Sequence, residues 1–381
     1  MIKVAERLNH IEEYYFSKKL REVKKLEMDG KPIINMGIGS PDILPPKKIS
    51  ESLEKSLNHK NAHRYQSYKG TDLLRESIKN FYKSNYNVEL NSDNNILPLL
   101  GSKEGIMHIS LAFLNPGDEV LIPDPGYPTY TSVTNIVGAK PIYFDLSEEN
   151  SWLPDIDKIN QLNLTKVKLM WINYPNMPTG SDLDKVKFEE LVFFAKQNEI
   201  LLINDNPYSF ILNKNPKSIL SIENSIDYCM ELNSLSKSFN MSGWRVGMLI
   251  GSKQNIDSVL KIKSNMDSGM FYGVQMGAVN ALKLDESWFN KINDIYLKRK
   301  KIVLEICDIL NLSYDSKSVG MFVWAKINSN KSSKELTDYL LYEKNIFVAP
   351  GFIFGKNGEG YVRFSLCLDE QLIIKAKSRL K

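Results

Sequence analysis

Cysteine and histidine are scarce in this 381-residue chain, which contains three cysteines and four histidines. Cys229, Cys307 and Cys367 are far apart and form no CxxC pair, so neither a disulfide framework nor a zinc site is indicated. The histidines do not have the spacing of metal ligands either. We therefore expect a protein of a reducing compartment that binds no metal.

Long apolar runs and long runs of one charge are also missing. No stretch reaches the roughly 18 apolar residues of a membrane-spanning helix, and the N-terminus has no apolar signal core. The net charge of +4 comes from lysines scattered among acidic residues, which argues against nucleic acid or a membrane as partner. The GxGxxG and GxxxxGK[ST] fingerprints of nucleotide sites are incomplete or absent. These absences predict a soluble, cytoplasmic protein.

The middle of the chain alternates short apolar runs with helical patterns. A helical pattern covers residues 185–198, between two strand candidates. Such alternation predicts an α/β fold, with a mostly parallel sheet of about seven strands flanked by helices. Ligands of such sheets bind beyond the carboxyl ends of the strands. The strand candidates are residues 96–100, 119–122, 141–144, 168–172, 200–204, 228–232 and 248–250.

The two ends of the chain differ from the middle. A long helical pattern at 285–310 is followed by short strands and helices, which predicts a smaller α+β domain. The first forty-odd residues contain a charged amphipathic helix and an apolar run at 33–36 that could pack on this domain. We therefore predict an N-terminal segment at 1–45, a large domain at 46–284 and a small domain at 285–381.

The segment 234–247, SLSKSFNMSGWRVG, carries the strongest chemical signal. Lys237 lies among the hydroxyls of Ser234 and Ser236, and Arg245 follows eight positions later in a glycine-bracketed turn. A lysine that forms a Schiff base needs an apolar pocket and a nearby cation to lower its pKa. The arginine fork suits a phosphate dianion. Pyridoxal phosphate (PLP) has both matching groups.

Two further segments have features that suit the same cofactor. GSKEG at 101–105 follows a strand and opens a helix, where backbone N–H groups bind phosphate. Ser102 could add its hydroxyl there. PDPGYP at 123–128 is a rigid turn that presents Tyr127, which could stack on a flat ring.

Two more polar segments follow predicted strands. In NYPNMPTG at 173–180 the prolines restrict the backbone, so the Asn176 amide could donate to the phenolic oxygen of the ring. Asp205 ends a strand, and its carboxylate could keep a pyridine nitrogen protonated. Tyr208 could hydrogen-bond the same phenolic oxygen.

Together these segments resemble the class I/II aminotransferases, which are fold-type I PLP enzymes, from about residue 33 to residue 366. Tyr174 and Met177 depart from the family motif N-P-x-N-P-T-G. The resemblance implies that Lys237 is the Schiff-base lysine and proton shuttle, that Asp205 pairs with the pyridine nitrogen, and that Tyr127 stacks on the ring. It assigns the ring oxygen to Asn176 and Tyr208. It assigns the phosphate to Gly101, Ser102, Lys103 (through its backbone), Ser234, Ser236 and Arg245.

The resemblance extends to the substrate and to a second subunit. Arg363, in GYVRFS at 360–365, matches the carboxylate-binding arginine, and the Gly39 backbone and Asn176 would approach the substrate. Tyr65 resembles a tyrosine that reaches the phosphate of the neighbouring subunit's PLP. Residues 267–272 resemble a segment at the subunit boundary. A homodimer with shared sites is therefore expected.

The implied activity is transfer of an amino group from an L-amino acid to a 2-oxo acid, such as 2-oxoglutarate, by a ping-pong mechanism. The motif wording leans toward the LL-diaminopimelate aminotransferase-like subgroup. Aspartate, methionine and aromatic amino acids are other candidate donors, and selectivity would depend on a few residues such as Tyr14, Tyr15 and Ile38. Two alternatives remain: a C–S β-lyase on the same fold, and a non-catalytic regulatory module.

Overall fold

The computed structural model describes residues 2–10, 13 and 15–381. Its α-helices and strands follow the alternation that the sequence predicts. The α-helices are α1 (Tyr15–Met28), α2 (Lys47–Ser56), α3 (Asp72–Tyr86), α4 (Ser102–Phe113), α5 (Pro128–Ile136), α6 (Ile156–Asn160), α7 (Lys185–Gln197), α8 (Lys253–Lys263), α9 (Tyr272–Ala281), α10 (Glu286–Ile309), α11 (Ser333–Tyr342) and α12 (Glu370–Ser378). The strands are β1 (Ile34–Asn35), β2 (Ile96–Leu99), β3 (Glu119–Asp124), β4 (Lys140–Asp145), β5 (Val167–Ile172), β6 (Leu201–Asp205), β7 (Cys229–Ser234), β8 (Gly247–Ile250), β9 (Leu312–Tyr314), β10 (Phe322–Ile327), β11 (Ile346–Phe347), β12 (Ala349–Pro350) and β13 (Tyr361–Ser365).

A seven-stranded sheet forms the centre of the molecule, in the order β2-β8-β7-β6-β5-β3-β4. Strand β8 runs antiparallel to both of its neighbours, and the other pairs within β3–β7 are parallel. Each of the seven strands agrees with its predicted range to within two residues at either end. The prediction of an α/β fold with a mostly parallel sheet is confirmed.

Helices cover both faces of this sheet, because its strands are apolar on both sides. On one face, α4, α5 and α8 pack around side chains such as Trp171, whose ring stacks on Tyr130 at 5.0 Å. On the other face, α3 and α7 contribute Phe81 and Phe188 to a larger core that continues into the C-terminal part. The helices leave the carboxyl ends of the central strands β5, β6 and β7 uncovered.

The C-terminal part contains a four-stranded antiparallel sheet in the order β12-β13-β10-β9, packed by α10 and α11. The N-terminal segment joins it, since β1 pairs in parallel with β11. The Ser365 N–H also donates to the Met36 carbonyl at 2.7 Å. Arg299 of α10 binds both carboxylate oxygens of Asp42 at 2.7 Å, which fixes the chain just after Gly39. The domain boundaries at 45/46 and 284/285 remain predictions.

Two further sequence expectations concern disulfide bonds and membrane-spanning helices. All three cysteines are buried, and none of them forms a disulfide. Within the described part of the chain, no helix is long and apolar enough to span a membrane.

Candidate active site

Polar residues from successive strands of the large sheet meet at the carboxyl ends of those strands. Asp205 ends β6, Ser234 ends β7, and Asn173 follows β5 directly. They border a cavity of about 590 Å³ between the large sheet and the N- and C-terminal segments. Of the residues predicted for the site, the cavity is lined by Gly39, Ser102, Lys103, Tyr127, Asp205, Tyr208, Ser234, Ser236, Lys237, Arg245 and Arg363.

The amine of Lys237 lies inside this cavity. Burial lowers its pKa, and the positive charges of Arg363 and Arg245 lower it further. Its Nζ donates a hydrogen bond of 2.5 Å to the carbonyl oxygen of Gly39. A Cβ at position 39 would lie 2.3 Å from the Phe322 ring, so glycine is what allows the backbone to come this close. A buried amine with a lowered pKa suits nucleophilic and base chemistry.

One corner of the cavity is built to receive an anion. Ser102 begins α4 there, and the Ser234 hydroxyl donates to Ser236 at 2.7 Å. The Arg245 guanidinium lies directly before the helix: at Gly101, which has φ +94°, a Cβ would be 2.1 Å from Arg245 Nη2. Free N–H groups of a helix N-terminus, hydroxyls and a guanidinium together bind a phosphate dianion well.

Lys103 adds a second positive charge to this corner. Burial lowers the pKa of its amine, and the positive charge of Arg245 lowers it further. A bound anion would reduce the repulsion between the two cations. The electrostatics therefore agree with the geometry of the corner.

Asp205 lies in the depth of the cavity and is 6 % exposed. Its Oδ2 accepts a hydrogen bond of 2.9 Å from the Tyr130 hydroxyl, while the buried Oδ1 has no hydrogen-bond partner among the described residues. Burial raises the pKa of this carboxyl from 3.8 to about 6. A cationic N–H donor beside Oδ1 would satisfy that oxygen and lower the pKa again.

Two tyrosines complete the walls around Lys237. Tyr127 lines the cavity and meets the Tyr130 ring edge-on at 5.6 Å. Tyr208 is buried, and its burial raises the pKa of its phenol above the ordinary value, so it stays a hydroxyl donor at neutral pH. A flat ring with a polar substituent fits between such groups.

Arg363 of β13 forms the opposite wall and is 5 % exposed. Its Nη2 donates to the Gly37 carbonyl at 2.8 Å, and its Nη1 lies 3.0 Å from Sδ of Met177. The guanidinium also stacks on aromatic rings, 3.9 Å from the centre of Phe322 and 4.7 Å from that of Phe354. A guanidinium held this way can bind a carboxylate with two parallel hydrogen bonds.

Three predicted site residues lie outside the cavity lining. The Oδ1 of Asn176 accepts hydrogen bonds from the backbone N–H and hydroxyl of Thr179, while its buried Nδ2 has no hydrogen-bond partner among the described residues. Donation from Asn176 to the ring oxygen therefore stays a prediction. Gly101 precedes α4 and lies beside Arg245, and its role at the phosphate stays a prediction. Tyr65 is 91 % exposed on the surface. Within the segment 173–180, the side chains that line the cavity are those of Asn173 and Met177.

Sequence reasoning missed several residues that shape the site. Asn173 accepts from the Met177 N–H at 2.8 Å and donates to the Asp205 carbonyl at 2.5 Å, so it ties the turn to β6. Tyr130 and Phe322 were also missed. Asn173 is the first residue of the segment 173–180, and Tyr130 follows Tyr127 by three residues, so both lie beside residues that the sequence did indicate. No sequence motif indicated Phe322.

The three residues expected to control selectivity for the substrate side chain lie in different places. Ile38 lines the cavity. Tyr15 lines a neighbouring groove, where its ring meets that of Phe352 edge-on at 5.6 Å. Tyr14 lies outside the described residues.

The mostly parallel sheet, with an anion cradle and a buried amine in one cavity at its carboxyl edge, defines the chain as a cofactor-dependent enzyme of fold type I. The particular family follows from comparison with known sequences. The sequence model of aminotransferase classes I and II matches residues 31–380, and the chain belongs to that family. Its members depend on PLP, so the chain is a PLP-dependent aminotransferase.

Individual relatives resemble the chain over its whole length. The LL-diaminopimelate aminotransferase of Aquifex aeolicus is 38% identical, covering 100% of this chain and 99% of the relative. The apo structure of BacF from Bacillus subtilis has 34% identity and a TM-score of 0.95, covering 100% and 98% of the two chains. An aminotransferase structure from Staphylococcus aureus has 32% identity and a TM-score of 0.91, covering 99% and 98%.

The residues present fit PLP on grounds that the structure itself provides. Asp205 Oδ1 is a buried acceptor that a protonated pyridine nitrogen would satisfy. The corner of Ser102 and Arg245 suits the phosphate, and the Lys237 amine suits the aldehyde.

Proposed function

We propose that this chain moves the amino group of an L-amino acid to a 2-oxo acid by a ping-pong mechanism, with PLP bound through Lys237. The observation that carries the proposal is the presence of Lys237, Asp205 and Arg363 in one cavity of about 590 Å³. These residues supply an amine, a partner for a protonated ring nitrogen and a carboxylate anchor. Amino acid transfer on PLP requires all three.

Each residue has a physical reason for its role. Bound PLP supplies an electron sink that acidifies the Cα–H bond of an amino acid. Lys237 Nζ takes and returns the Cα proton, because its lowered pKa favours the neutral amine that can act as a base. Asp205 would hold the proton of the ring nitrogen, and Ser102 and Arg245 would hold the phosphate.

Arg363 would bind the α-carboxylate, and the Gly39 backbone would border it. Donor and acceptor both carry this carboxylate, so one arginine can serve both half-reactions, as a ping-pong mechanism needs. Aromatic rings on the guanidinium exclude water, which strengthens the ion pair.

The relatives' name supports LL-diaminopimelate as the first donor to test. Aspartate, methionine and aromatic amino acids are the other candidates, and 2-oxoglutarate is the proposed acceptor. The fold alone does not select among them.

A homodimer with shared sites is part of the proposal. Tyr65 and Met266 are 91 % and 61 % exposed. Their segments are neighbours, because a Cβ on Gly269 would lie 2.5 Å from the Gln66 carbonyl oxygen. Large exposed apolar side chains on adjoining segments are typical of an interface.

The test is a half-reaction screen of the PLP-loaded protein with each candidate donor, first without an acceptor. We expect about one equivalent of 2-oxo acid per subunit without acceptor, and continuous turnover once 2-oxoglutarate is added. Release of pyruvate and ammonia from a cysteine conjugate without any acceptor would instead identify a β-lyase. No product from any amino acid would overturn the proposal.

A further inference from the structure

Met177 is a buried side chain in the segment 173–180 that departs from the family motif. It is 5 % exposed, lines the cavity and places its Sδ 3.0 Å from Nη1 of Arg363. Its backbone N–H donates to Asn173 Oδ1 at 2.8 Å, and Asn173 donates to the Asp205 carbonyl at 2.5 Å. The position of the sulfur is therefore set from the end of β6.

The guanidinium of Arg363 is oriented from several sides. Gly37 accepts from Nη2 at 2.8 Å, and the ring of Phe322 covers one face at 3.9 Å. The sulfur of Met177 accepts a hydrogen bond from the other terminal nitrogen, Nη1. Both terminal nitrogens are therefore contacted, which fixes the plane of the group.

The chemistry of the acceptor at Nη1 matters for a carboxylate ligand. A thioether is a neutral, polarizable and weak acceptor, so it orients an N–H without cancelling the positive charge. A carboxylate at the same place would form an ion pair with the arginine and compete with the substrate. A thioether therefore does not itself neutralise the charge of Arg363.

We propose that Met177 is a positioning residue for Arg363 and that its sulfur sets the guanidinium orientation in which the α-carboxylate is bound. This proposal rests on the proposed role of Arg363 as the substrate's carboxylate anchor. Met177 acts on every substrate through the carboxylate that all of them share. It should not affect ligands that lack that group.

The test compares Met177→Leu, which has a similar volume but no acceptor, with Met177→Gln, which restores a neutral acceptor. The ligand is the 2-hydroxy acid analogue of the best donor, which cannot react with the cofactor, and its affinity is measured by calorimetry. We expect Met177→Leu to weaken binding roughly threefold to tenfold, as for the loss of one hydrogen bond. Met177→Gln should recover most of it.

The matched ligand control is the amine that corresponds to the best donor without its carboxylate. Its affinity, followed by the visible absorbance of the holoenzyme, should be the same in the wild type and in Met177→Leu. In the overall reaction, KM for both donor and acceptor should rise while kcat changes little. Weaker binding of the amine to the same extent would indicate a general packing effect and overturn the positioning role.

A double-mutant cycle with Arg363→Ala separates this inference from the proposed function. If Met177 acts through Arg363, Met177→Leu should have no further effect on hydroxy-acid binding in the Arg363→Ala background. An unchanged affinity in Arg363→Ala alone would contradict the carboxylate anchor itself. A strong effect of Arg363→Ala, with none from Met177→Leu or with additive effects, would contradict only the role of Met177.

Discussion

The Lys237 amine donates a hydrogen bond of 2.5 Å to the carbonyl oxygen of Gly39, which lies 198 residues earlier in the chain. Lys237 follows β7 of the large sheet, whereas Gly39 follows β1, which is paired with β11 of the C-terminal part. The cavity is therefore assembled from two separately built sheets. Residues of both should influence the same amine.

Replacement of Lys237 by alanine should abolish transamination while leaving the phosphate corner intact. We expect the rate to fall by about a thousandfold or more, since the amine is both attachment point and base. Borohydride treatment should fix PLP to the wild type and not to the variant, as checked by mass spectrometry. Lys253→Ala, which changes an exposed lysine paired with Asp257, should behave as wild type. Covalent fixation of PLP in Lys237→Ala would contradict the assignment.

The carboxyl of Asp205 should make the stability of the apoprotein depend on pH. Its pKa is raised from 3.8 to about 6, so the folded state binds the proton more tightly than the unfolded state. This group therefore destabilises the apoprotein progressively as pH rises from about 4 to about 6, by about 3 kcal/mol in total. Asp205→Asn should melt higher than wild-type apoprotein at pH 7.5, with the difference vanishing below about pH 4.

The same substitution should have the opposite effect on function. Asp205→Asn lacks the charge that would hold a protonated ring nitrogen, so we expect activity to drop roughly a hundredfold or more.

Tyr130→Phe is the control for the stability prediction, because it removes the 2.9 Å hydrogen bond that stabilises the carboxylate. That variant should lower apoprotein stability at pH 7.5. An Asp205→Asn apoprotein no more stable than wild type at pH 7.5 would rule out the raised pKa.

Arg245 should discriminate between cofactors with and without a phosphate. Loss of a hydrogen bond to a charged group predicts that Arg245→Ala binds PLP about tenfold to a hundredfold more weakly. Binding of pyridoxal, which has no phosphate, should change little, and both affinities can be titrated by absorbance. Arg21→Ala, at an exposed pair with Glu13, is the matched control. Equal losses for both ligands would place the phosphate elsewhere.

Tyr65 should act in the partner's site if the homodimer is correct. A mixture of Tyr65→Ala and Lys237→Ala subunits, unfolded and refolded together, would form hybrids in which one site has both residues. Random pairing predicts recovery of about a quarter of the wild-type activity. Each variant refolded alone should stay inactive or impaired. If the mixture only averages the separate activities, Tyr65 serves its own subunit or none.

Much of the fold could be predicted because its signals are local. The apolar runs of β5, β6 and β7 were recognisable, since strands buried on both faces need continuous apolar sequence. Their order in the sheet, with β8 antiparallel between β2 and β7, had no local signal. Pairing between distant segments depends on packing across the whole core.

The candidate site, too, was predictable where its residues lie close together in the sequence and unpredictable where they do not. Lys237 and Arg245 lie in one short segment, so their spacing was visible in the sequence. In the turn at 173–180, the motif placed an asparagine near the cavity, but only the folded turn shows that Asn176 binds Thr179 while Met177 faces Arg363. The direction of each side chain depends on the backbone conformation of the folded turn, which the residue types alone do not specify.

The sequence by itself determined the α/β class, the family, the cofactor and about half of the residues that line the cavity, because each depends on residue types at fixed local spacings. Tertiary structure alone decided which carbonyl the Lys237 amine contacts and which rings and sulfur surround Arg363. The contacts of Lys237 with Gly39 and of Arg363 with Met177 join residues 198 and 186 positions apart, and only the packing of the N-terminal, central and C-terminal segments against one another brings them together.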